Sequence, residues 1–468
     1  MPQGLVVAAH QAAAEAGADA LASGGTAIDA AVAAAFALCV VDPANCGVGG
    51  YGGFLLLAPA VGAPLRVDFN TWAPLKLDPA LLHVPGRISG FAEGGASVAP
   101  PAVVPGLLAA HAAFGRLPLA RLLEPAIRLA ADGFLVGFST ALALRQHFER
   151  TGGGEREFAR VFYPDGHPPA HGSRLVQSDL AGTLETISSS GVDAFRTGAI
   201  VDAICDAAGA SGGFLEPADF SEDHVLIEPA ETVVLESAVV HGASRKTSGA
   251  GIVFPALAET NFDRLGPNRG EAYVNELARV LRAAWAGRSG PAEAALSARH
   301  TTHLCTADAN GGMVALTFTH GPWCGSGVVA AGTGVLLNAG ANLFAPSDDG
   351  PLATTNMSPV IVDVAGGERH ALGATGGPRI PAFVLTTIVD LVHYGSSLSD
   401  ALAAPHLAIR VADQELEVEP ELAQFARPGV KHLQAGDGFG AAFGITRDAT
   451  DGWTPAVDPR FEHGMARA

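Results

Sequence analysis

The chain has 468 residues, of which 48% are hydrophobic and 16% charged, and its formal net charge is −19. That length suits about two or three ordinary domains, or one large interlocked core. The acidic balance and the lack of any lysine- or arginine-rich run argue against nucleic acid or an anionic membrane as a partner.

The five cysteines (Cys39, Cys46, Cys205, Cys305 and Cys324) are odd in number and show no C-x-x-C spacing. They read as buried free thiols, neither a disulfide framework nor a zinc site. The opening MPQGLVVAAHQAAAEAG lacks a basic stretch followed by an apolar one, and the longest uncharged apolar run, residues 30–41, is too short to span a bilayer. The expectation is a cytoplasmic protein.

Residues 10–21 and 27–41 repeat apolar side chains at helical spacing, with Gly24 and Gly25 between them. A glycine-rich turn, residues 47–53, leads to short strands at 54–57 and 65–69. Residues 105–222 read as mainly helical, with segments at 106–114, 119–131, 180–189 and 199–208. A strand is expected at 232–240, then helices at 252–261 and 271–285. Residues 287–299, rich in Gly, Pro, Ala and Ser, read as a linker. Strands follow at 303–307, 313–319, 335–338, 360–364 and 370–373, then helices at 382–392 and 398–403, then more strands. Helices layered on extensive sheet in mixed order indicate an α/β or α+β sandwich.

Gly47-Val48-Gly49-Gly50-Tyr51-Gly52 matches G-x-G-x-x-G, and Asp68 lies about twenty residues beyond. A dinucleotide loop leaves a strand and opens a helix, whereas here a helix precedes and a strand follows, so no nucleotide is expected. His300 and His303 are three apart, but on a strand they point to opposite faces and no carboxylate or cysteine completes a metal site. There is no G-x-S-x-G elbow for a serine nucleophile.

Thr301 stands where the linker meets the strand-rich half. Cleavage of the bond before it would free an α-amine with a pKa of about 7.7–8.0, able to take the proton from the same residue's hydroxyl. A Thr-Thr pair at a strand start is otherwise ordinary.

The surrounding blocks give Thr301 its significance. GGTAIDAAVAAAFALCVVDPANCGVGGYGGFLLL, SVAPPAVVPGLLAAHAAFGRLPLARLLEPAIRLAADGF, TTHLCTADANGGMVALTFT, GSGVVAAGTGVLLN, NMSPVIV and GATGGPRI occur in that order. Together they resemble the γ-glutamyltranspeptidase family over nearly the whole chain. The resemblance implies a four-layer αββα sandwich of the N-terminal-nucleophile hydrolase type. It further implies a zymogen that cuts itself into a large subunit (residues 1–300) and a small one (residues 301–468), which remain associated as one interlocked domain. Thr301 matches that family's nucleophile and Thr319 the threonine that supports it. Gly376 and Gly377 match the pair whose amides stabilise the oxyanion.

The family's donor-binding residues are altered. Its D-F-R reads Asp68-Phe69-Asn70 here, without the arginine that clamps a carboxylate. Where an acidic pair would hold the donor's amine, Asn342 and Leu343 stand, and the nearest downstream acid is Asp348. The serine pair becomes Thr355-Asn356, and the asparagine two positions after the supporting threonine is Gly321. Losing both charged clamps together implies a donor without a glutamate head group. The segments before Thr301 and between Phe344 and Met357 also look short, which implies an open site where water competes as acyl acceptor.

The expected function is therefore a cofactor- and metal-independent amidohydrolase or acyltransferase acting on a small non-glutamyl amide or keto-acyl compound. Its partners would be that substrate, its own two fragments and, as an oligomer to look for, a second copy in a homodimer. A true γ-glutamyltransferase with clamps relocated to Arg66, Lys76 or Arg87 is the alternative within the class. A catalytically silent binding protein on the same fold is the alternative outside it.

Overall fold

The computed structural model describes residues 4–77, 93–221, 224–288, 301–345, 352–411, 413–426, 430–432, 440–450 and 452–468. Thirteen strands build two large antiparallel sheets. In chain order they are β1 (Leu5–Ala8), β2 (Gly52–Ala58), β3 (Leu65–Asp68), β4 (Leu226–Pro229), β5 (Glu231–Val234), β6 (Ala238–Gly242), β7 (Thr302–Ala307), β8 (Met313–Thr319), β9 (Val360–Val364), β10 (Arg369–Ala374), β11 (Ala442–Arg447), β12 (Trp453–Val457) and β13 (Gly464–Arg467). The first sheet has the order β13-β1-β7-β8-β2-β3-β4 and the second β12-β11-β10-β9-β6-β5.

The sheets face each other across a thin apolar layer that includes Val7, Leu56, Cys305, Ala315, Ile361, Ala371 and Phe443. Alternation along each strand produces the outer layers. On β7 and β8, Leu304, Leu316 and Phe318 point the other way, into a cluster with helices α1 (Gln11–Ala22) and α2 (Ala27–Val41). On the second sheet, Val240, Val362 and Leu372 join a cluster with the helices Ala250–Glu259, Glu271–Ala286 and Ile380–Val392. The result is the expected four-layer αββα sandwich.

Helix α2 is buried at every residue, as a helix apolar on all sides must be. Its start is set by a capping box: the Thr26 hydroxyl accepts from the Asp29 amide at 3.2 Å, and the Asp29 carboxylate accepts from the Thr26 amide at 2.8 Å. The Asp308 carboxylate accepts from the Ala27 amide at 2.9 Å, tying this helix to the loop between β7 and β8.

The glycine turn serves packing. A Cβ on Gly49 would stand 2.3 Å from the Leu336 carbonyl oxygen, and one on Gly52 (φ +147°) 2.2 Å from that of Phe69. The turn follows a helix and enters β2, the order that argues against a dinucleotide loop.

One expectation needs correction. Residues 232–240 are a hairpin of β5 and β6, closed where the Leu235 amide donates to the Ala238 carbonyl at 2.8 Å. The opening segment contributes β1, which lies between β13 and β7 inside the first sheet. The linker reading falls almost wholly outside the described residues, as do His300, Arg87, Asp348 and half of the segment between Phe344 and Met357.

Candidate active site

Strand pairing brings the predicted residues together. β7 pairs with β8 from Ala307↔Met313 to Thr302↔Phe318. Continued by one residue, that register sets Thr301 opposite Thr319, with Cα atoms about 5 Å apart. β8 pairs in turn with β2, where Thr319 lies opposite Gly52. Thr301 is buried, with 7% of its surface exposed, and Thr319 more completely so at 1%.

The alternation along β7 fixes which way Thr301 looks. His303 and Cys305 point into the space between the sheets: the Cys305 thiol donates to the Ala371 carbonyl at 3.4 Å, and a Cβ on Gly373 would meet the His303 ring at 2.4 Å. Contacts 305–371 and 303–373 step along β7 and β10 in opposite senses. The same stepping, continued once more, would set Thr301 toward Thr375, immediately before Gly376 and Gly377.

Both of those glycines have left-handed backbones, φ +118° and +61°, where a side chain would be strained. Among the described residues neither amide donates a backbone hydrogen bond. They lead through a short 3-10 turn, Gly377–Arg379, into the helix Ile380–Val392, whose amino end carries partial positive charge. The buried Arg379–Glu417 ion pair, 2.9 Å, anchors the turn.

Thr319 is held by backbone. Its hydroxyl accepts from the Gly321 amide at 2.9 Å and lies 3.2 Å from the Asn45 carbonyl, to which it can donate. The turn carrying Asn45 is itself fixed: the Asn45 amide nitrogen Nδ2 donates to Asp42 at 2.8 Å, and the His320 ring pairs with the Ala44 carbonyl at 2.8 Å. Burial pushes the Asp42 carboxyl up to about 7, against the opposing pull of Asn45, Thr302 and Thr140. Burial also pushes His303 down to about 3 and His320 down to about 4, so both rings are neutral. His303 bridges Thr317 at 2.8 Å and Cys305 at 3.2 Å, a core arrangement.

The altered donor-binding positions form one neighbourhood. A Cβ on Gly52 would stand 2.9 Å from the Asn70 Cα, which puts Asn70 about three strand spacings, roughly 14 Å, from Thr301 along the sheet. The Asn70 side chain donates to the Ala353 carbonyl at 2.8 Å, and the Thr354 amide donates to the Leu343 carbonyl at 3.0 Å. Leu343 is buried among Tyr51, Phe344, Ala353 and Met357. Thr355 donates its amide to the Thr247 carbonyl at 2.8 Å, and the Thr247 hydroxyl donates to Asp68 at 3.0 Å. Arg288, read from sequence as linker, reaches the same corner: its guanidinium donates to the Thr355 carbonyl and, at 3.4 Å, to Asn356 Oδ1. Arg66 pairs with Glu228 and, at 2.7 Å, with Glu231, and Lys76 pairs with Glu216 at 2.6 Å, so both are committed elsewhere.

Comparison with known proteins shows the family and the fold. The family model described as gamma-glutamyltranspeptidase matches residues 13–293 and 288–468. A glutathione hydrolase proenzyme of Pseudomonas sp. (strain A14) is 30% identical over 470 residues, covering 86% of this chain and 80% of the relative. An acylase ACY 1 proenzyme of Pseudomonas sp. (strain SE83) is 31% identical over 473 residues, covering 89% and 84%. The crystal structure of a cephalosporin acylase from Bacillus halodurans superposes with a TM-score of 0.86 over 99% of this chain and 96% of that one, at 23% identity, which supports the fold. The chain is a member of the gamma-glutamyltranspeptidase family, a group of hydrolases and transferases that includes both glutathione hydrolase and acylase proenzymes.

Proposed function

We propose that this protein is a self-cleaving amidohydrolase or acyltransferase that splits between His300 and Thr301 and then uses Thr301 as its nucleophile. What supports the reading is the register of β7 and β8, which, continued by one residue beyond Thr302↔Phe318, sets Thr301 opposite Thr319. The new α-amine takes the proton from Thr301 Oγ1, which attacks the acyl carbonyl. The tetrahedral oxyanion accepts hydrogen bonds from the Gly376 and Gly377 amides, each worth about 3 kcal/mol in a transition state. Collapse expels the amine with its proton and leaves a threonyl ester, which water then hydrolyses. Residues 1–300 and 301–468 remain together because β7 and β8 lie inside the first sheet, with β1 on one side and β2 on the other.

The donor is not a γ-glutamyl compound. Asn70 and Leu343 stand where a carboxylate and an ammonium would need charged partners, and Asn70 is already engaged with Ala353. The commitment of Arg66 and Lys76 to glutamates weighs against relocation of the clamps to either. A small amide or keto-acyl compound is the preferred donor class, with hydrolysis favoured over transfer. The test is to trap the acyl-enzyme with a slow ester substrate and locate the added mass. An adduct on any residue other than Thr301 overturns the assignment.

A further inference from the structure

The turn at Gly376 and Gly377 is entered through Thr375, which continues β10 beyond Ala374. The register of β10 and β11 runs on through it: Ala374 pairs with Ala442, and the Thr375 amide donates to the Ala441 carbonyl at 2.8 Å. The Thr375 hydroxyl accepts from the Ala441 amide at 2.9 Å, so Oγ1 is held by backbone at the start of the turn. Gly440 closes over the same place. Its φ is +86°, and a Cβ there would stand 2.0 Å from the Thr375 carbonyl oxygen and 2.8 Å from the Gly376 Cα. A hydroxyl that accepts from an amide still has its own O–H to give.

Alternation along β10 decides where that O–H lies. Leu372 and Ala374 belong to the outer cluster with the helices, whereas Ala371 faces the layer between the sheets and Gly373 lies against the His303 ring. Thr375 follows in the second set, on the face that would look toward Thr301. It is only partly buried, as a group that meets a bound molecule must be. Facing sheets lie about 10 Å apart, which leaves about 5 Å between two threonine hydroxyls that point at each other. A carbon bonded to Thr301 Oγ1 and carrying an oxyanion fills such a gap. We propose that Thr375 is a further catalytic residue, its hydroxyl donating to the oxyanion beside the Gly376 and Gly377 amides. This deepens the reading of Thr301 as nucleophile and rests on it. The two amides belong to the backbone and cannot be deleted by substitution; the third donor is a side chain and can be.

Propylboronic acid tests the site on the processed protein. Thr301 Oγ1 forms a bond to boron, its proton passes to the α-amine, and the boron becomes tetrahedral and negatively charged. Boron NMR should show this adduct with the unaltered protein. Thr375→Val, which keeps the shape and removes the O–H, should weaken it about tenfold or more. Thr375→Ala should do the same, and Thr375→Ser should restore most of the affinity. In turnover of nitrophenyl butyrate, Thr375→Val should lower kcat by about tenfold or more and leave KM unchanged, because the hydroxyl acts on the tetrahedral state and not on the bound ester. Equal boronate binding by Thr375→Val and the unaltered protein overturns the proposal and leaves Thr301 in place. A rise in KM as large as the fall in kcat also overturns it, since that is what a merely displaced turn would cause. Absence of tetrahedral boron on the unaltered protein is a different failure, which removes the nucleophile and the proposal together.

Discussion

Thr302 lies opposite Phe318 in the antiparallel register of β7 and β8, and that register continued by one step sets Thr301 toward Thr319. The Thr319 hydroxyl is fixed by the Gly321 amide, 2.9 Å, and lies 3.2 Å from the Asn45 carbonyl. A hydroxyl whose donor and acceptor functions are both used by backbone keeps one orientation, which is what a positioning group beside a nucleophile requires.

Thr319→Val keeps the shape of this residue and removes the hydroxyl. It should lower kcat by about ten- to a hundredfold, the effect of one lost hydrogen bond at a buried site. Thr319→Ser should retain most of the activity. Unchanged kcat in the valine variant would mean that Thr319 only fills space.

Processing gives the most direct observation. Residues 301–468 are 168 of 468, so a 47.4 kDa chain should yield bands of about 17 and 30 kDa on a denaturing gel. Thr301→Ala should run as one full-length band. A Thr301→Ala protein that still splits at the same bond would place the cleavage chemistry on another residue.

Local pattern made much of the fold readable. β8 was expected at residues 313–319 and α2 at residues 27–41, and the structure has them at Met313–Thr319 and Ala27–Val41. In both, one periodicity runs unbroken between clear end signals. β1 escaped because four residues hold no period worth reading; its place comes from Leu5 pairing with Ala307 on one side and Arg467 on the other. The hairpin after Val234 escaped because Leu235, Glu236 and Ser237 include no glycine or proline. Of the site, the ordered motif blocks carried Thr301, Thr319 and the Gly376–Gly377 pair. Asp42, His320 and Arg288 were not legible, because each matters through a long-range partner: Asp42 through Thr140 and Thr302, His320 through Ala44, Arg288 through Thr355.

Asp42 supports a pH prediction. Its carboxyl titrates at about 7 in the folded protein, mainly through burial, and near 3.8 in the unfolded chain. Between those values the folded state holds a proton that the unfolded state has lost, so this group's contribution to stability falls as pH rises from about 4 to about 7. Asp42→Asn removes the titration and can keep the Asn45 contact. Its urea midpoint should therefore gain on the unaltered protein as pH is raised across that window. His303 and His320 have the opposite slope but are common to both proteins and cancel in the comparison. A midpoint difference that stays constant from pH 4.5 to 7.5 would show that Asp42 does not titrate in this range.

The final prediction concerns the donor. A γ-glutamyl group brings a carboxylate and an ammonium into a pocket where Leu343 is 7% exposed and Asn70 is 8% exposed and bonded to Ala353. Leu343 offers the ammonium no charge, and the carboxylate of Asp68 at this corner is engaged by the Asn70 amide at 3.0 Å and the Thr247 hydroxyl at 3.0 Å. A buried unpaired charge costs several kcal/mol, so kcat/KM for a γ-glutamyl anilide should lie about a hundredfold or more below that for the matching glutaryl anilide. Leu343→Asp, which supplies an acid at the missing position, should narrow that gap from both sides: the γ-glutamyl donor gains a partner and the glutaryl donor meets a like charge. Asn70→Arg is the weaker repair, since it also breaks the hydrogen bond to Ala353. The unaltered protein decides the matter. Turnover of a γ-glutamyl anilide at about 10⁴ M⁻¹s⁻¹ or faster, the lower range for efficient enzymes, would mean that the pocket holds both charges of the glutamyl head and that the donor class proposed here is wrong.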